Sequence, residues 1–238
     1  ILVLASFTFL ASCSNDTQQA ERKELLIYCG ITMMKPMKQL AEEFEKMHPV
    51  NITITQGGSQ DLYDSLKMSR VGDLYLPGSS SYRIKNEADG LLKEHVFVGY
   101  NRVAMMVQKG NPKNVSNDIQ ELINPNLNSV LCNPETGSVG RASQRLLQKA
   151  GIEKQAYDKA VYLTTDSRRL IEAMKNEEAD IVLNWYAAGT WPGNEEHVDI
   201  IELPKDLAKP KSLELNLLSF SKHPEEAKLF MQFASSEY

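Results

Sequence analysis

The chain has 238 residues, 42% of them hydrophobic and 24% charged, a balance that suits a folded protein with a real apolar core and excludes a low-complexity or fibrous polymer. The formal net charge is −5 and no run of Lys or Arg stands out, which excludes a basic nucleic-acid face.

Ile1 to Leu10 is an apolar run closed by Ala11-Ser12-Cys13. About a dozen apolar residues fall short of the ~20 that span a bilayer, and an apolar stretch ending in small residues reads as a secretory signal segment. Its end resembles a bacterial lipobox, with Cys13 as the lipid-bearing residue. Residues 1–13 are therefore expected to be a signal segment and residues 14–23 a polar tether, leaving an exported protein anchored by lipid outside the cytoplasm.

Glu24 to Tyr28 is a short apolar strand stopped by Cys29-Gly30. Met37, Leu40, Ala41, Phe44 and Met47 then recur at helical spacing, and His48-Pro49 ends that helix. Asn51 to Thr55 is a strand rich in β-branched residues, followed by a helix with Leu62 and Leu66 on its apolar side. Asp73 to Pro77 is a third strand. Strands separated by helices at this spacing call for right-handed crossovers and a mostly parallel sheet. His95–Tyr100 and Arg102–Lys109 are two strand-like runs either side of Asn101. Ser129–Cys132, Tyr162–Thr164 and Asp180–Trp185 are further strands, with helices between them. Val198–Leu203 is strand-like, and a terminal helix carries Ala227, Phe230, Met231 and Ala234.

This order predicts an α/β protein of two lobes, with lobe I from residues 24–98 plus 198–238 and lobe II from residues 103–190. Residues 99–102 and 190–197 are the expected hinge. Cys29 and Cys132 end strands and read as small buried thiols rather than a disulfide framework.

Four loops follow the carboxyl ends of strands: Cys29–Thr32, Gln56–Ser59, Pro77–Ser81 and Asn133–Ser138. Most are rich in Gly, Ser or Thr and precede a helix. Ligands of open α/β sheets bind at this end of the strands, and helix starts with free N–H groups favour anions. Ser59, Ser81 and Ser138 are also of the type that caps helices, and Ser138 is assigned to capping.

The chain is similar to the molybdate- and tungstate-binding proteins of bacterial ABC importers, two-lobed extracytoplasmic solute-binding proteins. The stretches that carry the likeness run from Tyr28-Cys-Gly-Ile-Thr-Met33 and Gly57-Gly-Ser-Gln-Asp-Leu62 through Gly72-Asp-Leu-Tyr75 to Asn101-Arg-Val-Ala-Met-Met-Val-Gln-Lys-Gly-Asn-Pro112. Asn133-Pro-Glu-Thr-Gly-Ser-Val-Gly-Arg141, Asp166-Ser-Arg168 and Glu178 to Tyr186 extend it into the second lobe. The resemblance implies a periplasmic-binding-protein fold with two strand crossovers between the lobes and a ligand cleft. It implies oxyanion contacts at Thr32, Ser59, the N–H of Val139, Ser167, and an aromatic ring at Trp185 or Tyr186. It also implies a monomeric, cofactor-free, non-enzymatic protein that hands its ligand to a membrane permease.

Thr32 stands where the family usually has Ser, and Asn184-Trp185 replaces a simpler strand end. A sulfate- or phosphate-like anion is therefore an alternative ligand, and Asp61 and Glu135, close in sequence to the loops, are acceptors that could face the proton of hydrogen phosphate. Cys29, Met33, Met34, Met37 and Cys132 suit a soft metal such as copper(I) as a weaker alternative. A sensor or adaptor role on the same fold is a third. His48, His95, His197 and His223 show no zinc-ligand spacing, and no G-x-S-x-G elbow points to a hydrolase.

Overall fold

A computed structural model describes residues 22–236. The expected signal segment, Cys13 and most of the expected tether lie outside the described residues. Among the described residues no helix is long and apolar enough to cross a membrane.

The molecule consists of two five-stranded sheets, each the centre of an α/β lobe. The first holds β1 (Lys23–Gly30), β2 (Val50–Gly57), β3 (Leu74–Leu76), β4 (Leu92–Asn101) and β10 (Lys211–Leu218), in the order β2-β1-β3-β10-β4. β1 runs parallel to β2 and β3, while β10 is antiparallel to both β3 and β4. The second holds β5 (Val103–Gln108), β6 (Ser129–Cys132), β7 (Leu163–Thr164), β8 (Ile181–Trp185) and β9 (Val198–Ile201), in the order β7-β6-β8-β5-β9. This is the two-lobed periplasmic-binding-protein fold, with two crossings between its sheets.

Burial explains why these segments fold as they do. Successive side chains of a strand face opposite ways, so β1 sends Leu25, Ile27 and Cys29 into one core and Tyr28 into another. The first core is closed by α1 (Met34–Met47) and α8 (Pro224–Ser235) through Met37, Ala41, Phe44 and Phe230. The second is closed by α2 (Ser59–Ser69) and α3 (Ser81–Lys85) through Leu62, Tyr63, Leu66 and Tyr82. Both faces of this mixed sheet are thereby covered, as its parallel strands β1, β2 and β3 require. α1 stops at His48, whose ring stacks on Phe44 at 4.1 Å. In the second lobe α4 (Ser138–Lys149), α5 (Glu153–Lys159), α6 (Ser167–Lys175) and the short α7 (Tyr186–Gly189) surround a single apolar cluster built on Met105, Val130, Leu147, Leu170 and Val182.

Three expectations are corrected. Val198–Ile201 does not return to the first lobe: β9 pairs antiparallel with β5, in register Met105–Ile201 to Gln108–Val198. The return is made by β10, a strand missing from the sequence reading. The second crossing consequently spans residues 202–210, whereas residues 190–197 lie within the second lobe. The first crossing is as short as it can be, with Arg102 alone between β4 and β5. Lys23, placed in the tether, opens β1.

Candidate functional site

Where the carboxyl ends of both sheets face each other, loops from the two lobes enclose a small pocket. Ile31, Thr32, Gly57, Gly58 and Ser59 line it from the first lobe, and Gly137, Ser138, Val139, Asp166, Ser167 and Trp185 from the second. It leaves about 10 Å³ for the centre of a water-sized sphere. Sites for organic ligands run to roughly 300–1,000 Å³, so this space is on the scale of one small inorganic ion.

Thr32, Ser59, Val139, Ser167 and Trp185 are thus brought together, each at most 3% exposed. Tyr186 is not among them. One residue past the end of β8, it turns to the outer side of the hinge. There the Arg102 guanidinium lies 4.2 Å from its ring centre, and it lines a separate cavity with Tyr100 and Lys209. The aromatic at the pocket is Trp185.

The serines expected to cap helices do not. Gly58 and Gly137 occupy the cap positions of α2 and α4, and Ser80 that of α3, none with a side-chain cap bond. Ser59 and Ser138 are therefore first-turn residues with hydroxyls released from capping. Ser59 Oγ accepts from the N–H of Gly78 at 3.1 Å, and Ser138 Oγ accepts from Trp185 Nε1 at 3.2 Å. A hydroxyl that accepts one bond still has its own proton to give. Both serines thus keep a proton that these bonds do not use.

Ser167 is different. Its hydroxyl donates to Asn184 Oδ1, Asn184 Nδ2 donates back to the Ser167 carbonyl at 2.9 Å, and the Trp185 N–H donates to Asn184 Oδ1 at 2.8 Å. The Ser167 side chain is spent on this clasp, so what it offers the pocket is its main-chain N–H. Ser59, Val139 and Ser167 all lie in the first turns of helices of 9 to 12 residues, where N–H groups lack an intrahelical partner. Three positive helix ends from two lobes meet at one point.

Two carboxylates stand close by. Asp166 is the cap of α6 and accepts from the N–H groups of Arg168 and Arg169 at 2.9 and 3.0 Å, which commits the oxygen nearest the helix. Burial, with Asp64 and Asp166 adding repulsion, pushes the Asp61 carboxyl above its ordinary range. Glu135 is exposed. Sequence reasoning missed the supporting residues Gly78, Asn184 and Asp166. Their signals were the Pro77–Ser81 loop, the run Asp166-Ser-Arg168 and the polar Asn184 in an otherwise apolar strand end.

The lobes are closed on each other. A Cβ placed on Gly78 would fall well inside contact distance of Ser138 Oγ, and one on Gly58 would lie 3.1 Å from the Thr136 carbonyl, so main chain on one side abuts the other. The residues grouped by the soft-metal reading are divided: Cys29, Met33 and Met37 pack in a core of the first lobe and Cys132 in that of the second. Burial raises both thiols, Cys132 to about 12. Neither thiol should react with a thiol-specific reagent in the native protein at pH 8, while both react after denaturation. Rapid labelling of either thiol in the native protein would contradict its burial.

Comparison with known proteins agrees with the two-lobed fold. A family model described as bacterial extracellular solute-binding protein matches residues 25–238. A candidate binding protein from Haemophilus influenzae is 21% identical over 220 residues, covering 92% of this chain and 88% of the relative. Among solved structures, a periplasmic thiamin binding protein superposes with a TM-score of 0.78 at 18% identity, covering 90% of this chain and 79% of that one. The periplasmic molybdate-binding protein of Azotobacter vinelandii gives 0.74 at 14% identity, covering 90% and 93%. At such identities the two structures speak for the fold, which they share with different ligands. The family match covers nearly all the described residues, and the chain belongs to the bacterial extracellular solute-binding proteins.

Proposed function

We propose that the protein binds a small tetrahedral oxyanion between its lobes, molybdate or tungstate ahead of sulfate and phosphate, and delivers it to the permease of an ABC importer. The observation that carries this reading is the donor set. Ser59 and Ser138 hydroxyls with free protons, the Thr32 hydroxyl, and first-turn N–H groups of α2, α4 and α6 face a space of about 10 Å³. A fully deprotonated dianion offers acceptors alone and needs donors on every side. Hydrogen phosphate carries a proton of its own, and of the Asp166 carboxylate that lines the pocket one oxygen caps α6 while the other lies toward Thr165 and Arg169. An organic cation the size of thiamin exceeds the space between the closed lobes. The preference for molybdate and tungstate rests on the sequence stretches that resemble that family. Lipidation at Cys13 would hold the lobes beside the permease.

Calorimetry against molybdate, tungstate, sulfate, phosphate, thiamin and copper(I) tests the ligand class. Heat from molybdate or tungstate with little from the others is expected, and heat from thiamin or copper(I) alone would overturn the proposal. Replacing Ser59 by Ala removes one donor to a buried charge, an interaction that contributes roughly 1.5–3 kcal/mol. Molybdate affinity should fall about ten- to a hundred-fold with the unliganded fold unchanged by circular dichroism. Parent-like binding by that variant would remove Ser59 from the site.

A further inference from the structure

Among the described residues, two cation–ring contacts outside the pocket cross the cleft, and they run in opposite directions. Lys35 of α1, in the first lobe, holds its Nζ 5.2 Å from the centre of the Trp191 ring in the second and donates to the Pro192 carbonyl at 3.1 Å. Arg141 of α4, in the second lobe, holds its guanidinium 4.8 Å from the centre of the Tyr82 ring in the first. Both distances fall within the ~6 Å over which a cation is attracted to the face of a ring. Ion pairs such as Arg83–Glu214 and Lys109–Asp199 instead join groups of one lobe.

The placement of the cations ties these contacts to the pocket. Lys35 comes three residues after Thr32, and Arg141 three residues after Ser138. Each cation is therefore about one helical turn beyond a pocket-lining residue, on the same piece of chain. Each ring also follows a pocket element, Tyr82 after the Gly78 loop and Trp191 after Trp185. Motion that opens the pocket must lift both cations off their rings.

We propose that Lys35–Trp191 and Arg141–Tyr82 form a reciprocal pair of latches that hold the lobes shut and set how long a solute stays bound. The inference rests on the two-lobed geometry and on neither the chemistry of the ligand nor its identity. Contacts made only in the closed state favour that state whether or not a solute is present, and raise apparent affinity through the closed fraction. Because neither cation belongs to the pocket lining, the latches act on all solutes alike. Their removal should speed release and shift the unliganded lobes away from closure without altering the ratio of affinities for molybdate and sulfate, whereas loss of a pocket donor leaves the unliganded lobes as they are.

The test uses Lys35→Met, Arg141→Met, their combination, Lys35→Arg and Trp191→Leu, with molybdate as the probe. Stopped-flow fluorescence should show release about five-fold faster for each single loss and about twenty-fold faster for the combination. Lys35→Arg should retain the parent rate, and Lys35→Met should cost less when Trp191 is already Leu, with only the bond to the Pro192 carbonyl left to lose. A second measurement needs no ligand: spin labels at Glu87→Cys and Lys113→Cys, both exposed and one on each lobe, report the interlobe distance. Without ligand, the combined variant should shift this distribution away from the closed value relative to the parent. Unchanged release together with an unchanged distribution overturns the latches. If the parent fails to bind molybdate, the anion proposal falls, and the label distances decide on the latches alone: a shift supports them and no shift overturns them.

Discussion

Replacing Gly78 by Ala should weaken molybdate binding by at least about a hundred-fold while leaving the unliganded protein as stable as the parent. The added methyl carbon would overlap Ser138 Oγ and sit 3.5 Å from Trp185 Nε1, so the hydroxyl is the group that must give way. Ser138 cannot retreat at low cost, because its hydroxyl is held by the indole of a fully buried Trp185. Gly78 is not one of the positive-φ glycines, so Ala is tolerated by its own lobe. The clash exists across the cleft and therefore penalises closure alone. With the lobes held apart, the second lobe's donors are lost together, and two or three hydrogen bonds to a charge at roughly 1.5–3 kcal/mol each account for the fall. Combining Gly78→Ala with Ser138→Gly should restore closure, measured as a return of the label distance to the closed value. Tight molybdate binding by Gly78→Ala would mean that ligand is held in some arrangement other than this closed one.

The largest loss of stability is expected at Asn184. This residue is fully buried at the end of β8 and makes three bonds, to the Ser167 hydroxyl, the Ser167 carbonyl and the Trp185 N–H. Asn184→Ala leaves those groups buried without partners. Each such orphan costs about 1–3 kcal/mol, so unfolding free energy should fall by roughly 3 kcal/mol, which for a chain of this size lowers Tm by about 10 °C. Molybdate affinity should fall as well, since the clasp fixes the start of α6 and the indole that aims Ser138. Urea denaturation of the ligand-free protein separates the two effects. A loss of under about 1 kcal/mol would show that water or a neighbour replaces the amide.

What the sequence revealed and what it hid divide along physical lines. The strand–helix alternation of the first lobe was legible because each element is amphipathic or wholly apolar in its own right. β10 was missed although Leu213, Leu215 and Leu217 alternate into the core. Its partners β3 and β4 lie more than a hundred residues earlier, and pairing at that separation leaves no local mark. For the same reason β9 carried no sign of which sheet it joins. The pocket was legible at Thr32 and Ser59, where Gly and hydroxyl residues open a helix. At Trp185-Tyr186 a strand ends and a helix begins, so neighbouring residues point apart and a one-residue ambiguity selects opposite sides of the molecule. Ser138 was read as a cap because the glycine that takes the cap position, Gly137, looks equally like a loop residue.

The late arrival of β10 also orders the events of synthesis. Strands β5 to β9 are consecutive in the chain, so the second lobe can finish its sheet as soon as residue 201 has emerged. β3 and β4 share no bond until residues 211–218 slide between them. Until then the first lobe carries two open strand edges beside a finished neighbour, the kind of surface on which nascent chains associate. Residues 211–218 thus act as the closing stave of the lobe whose strands come first, and a chain without them has one sheet complete and the other still seeking a partner strand.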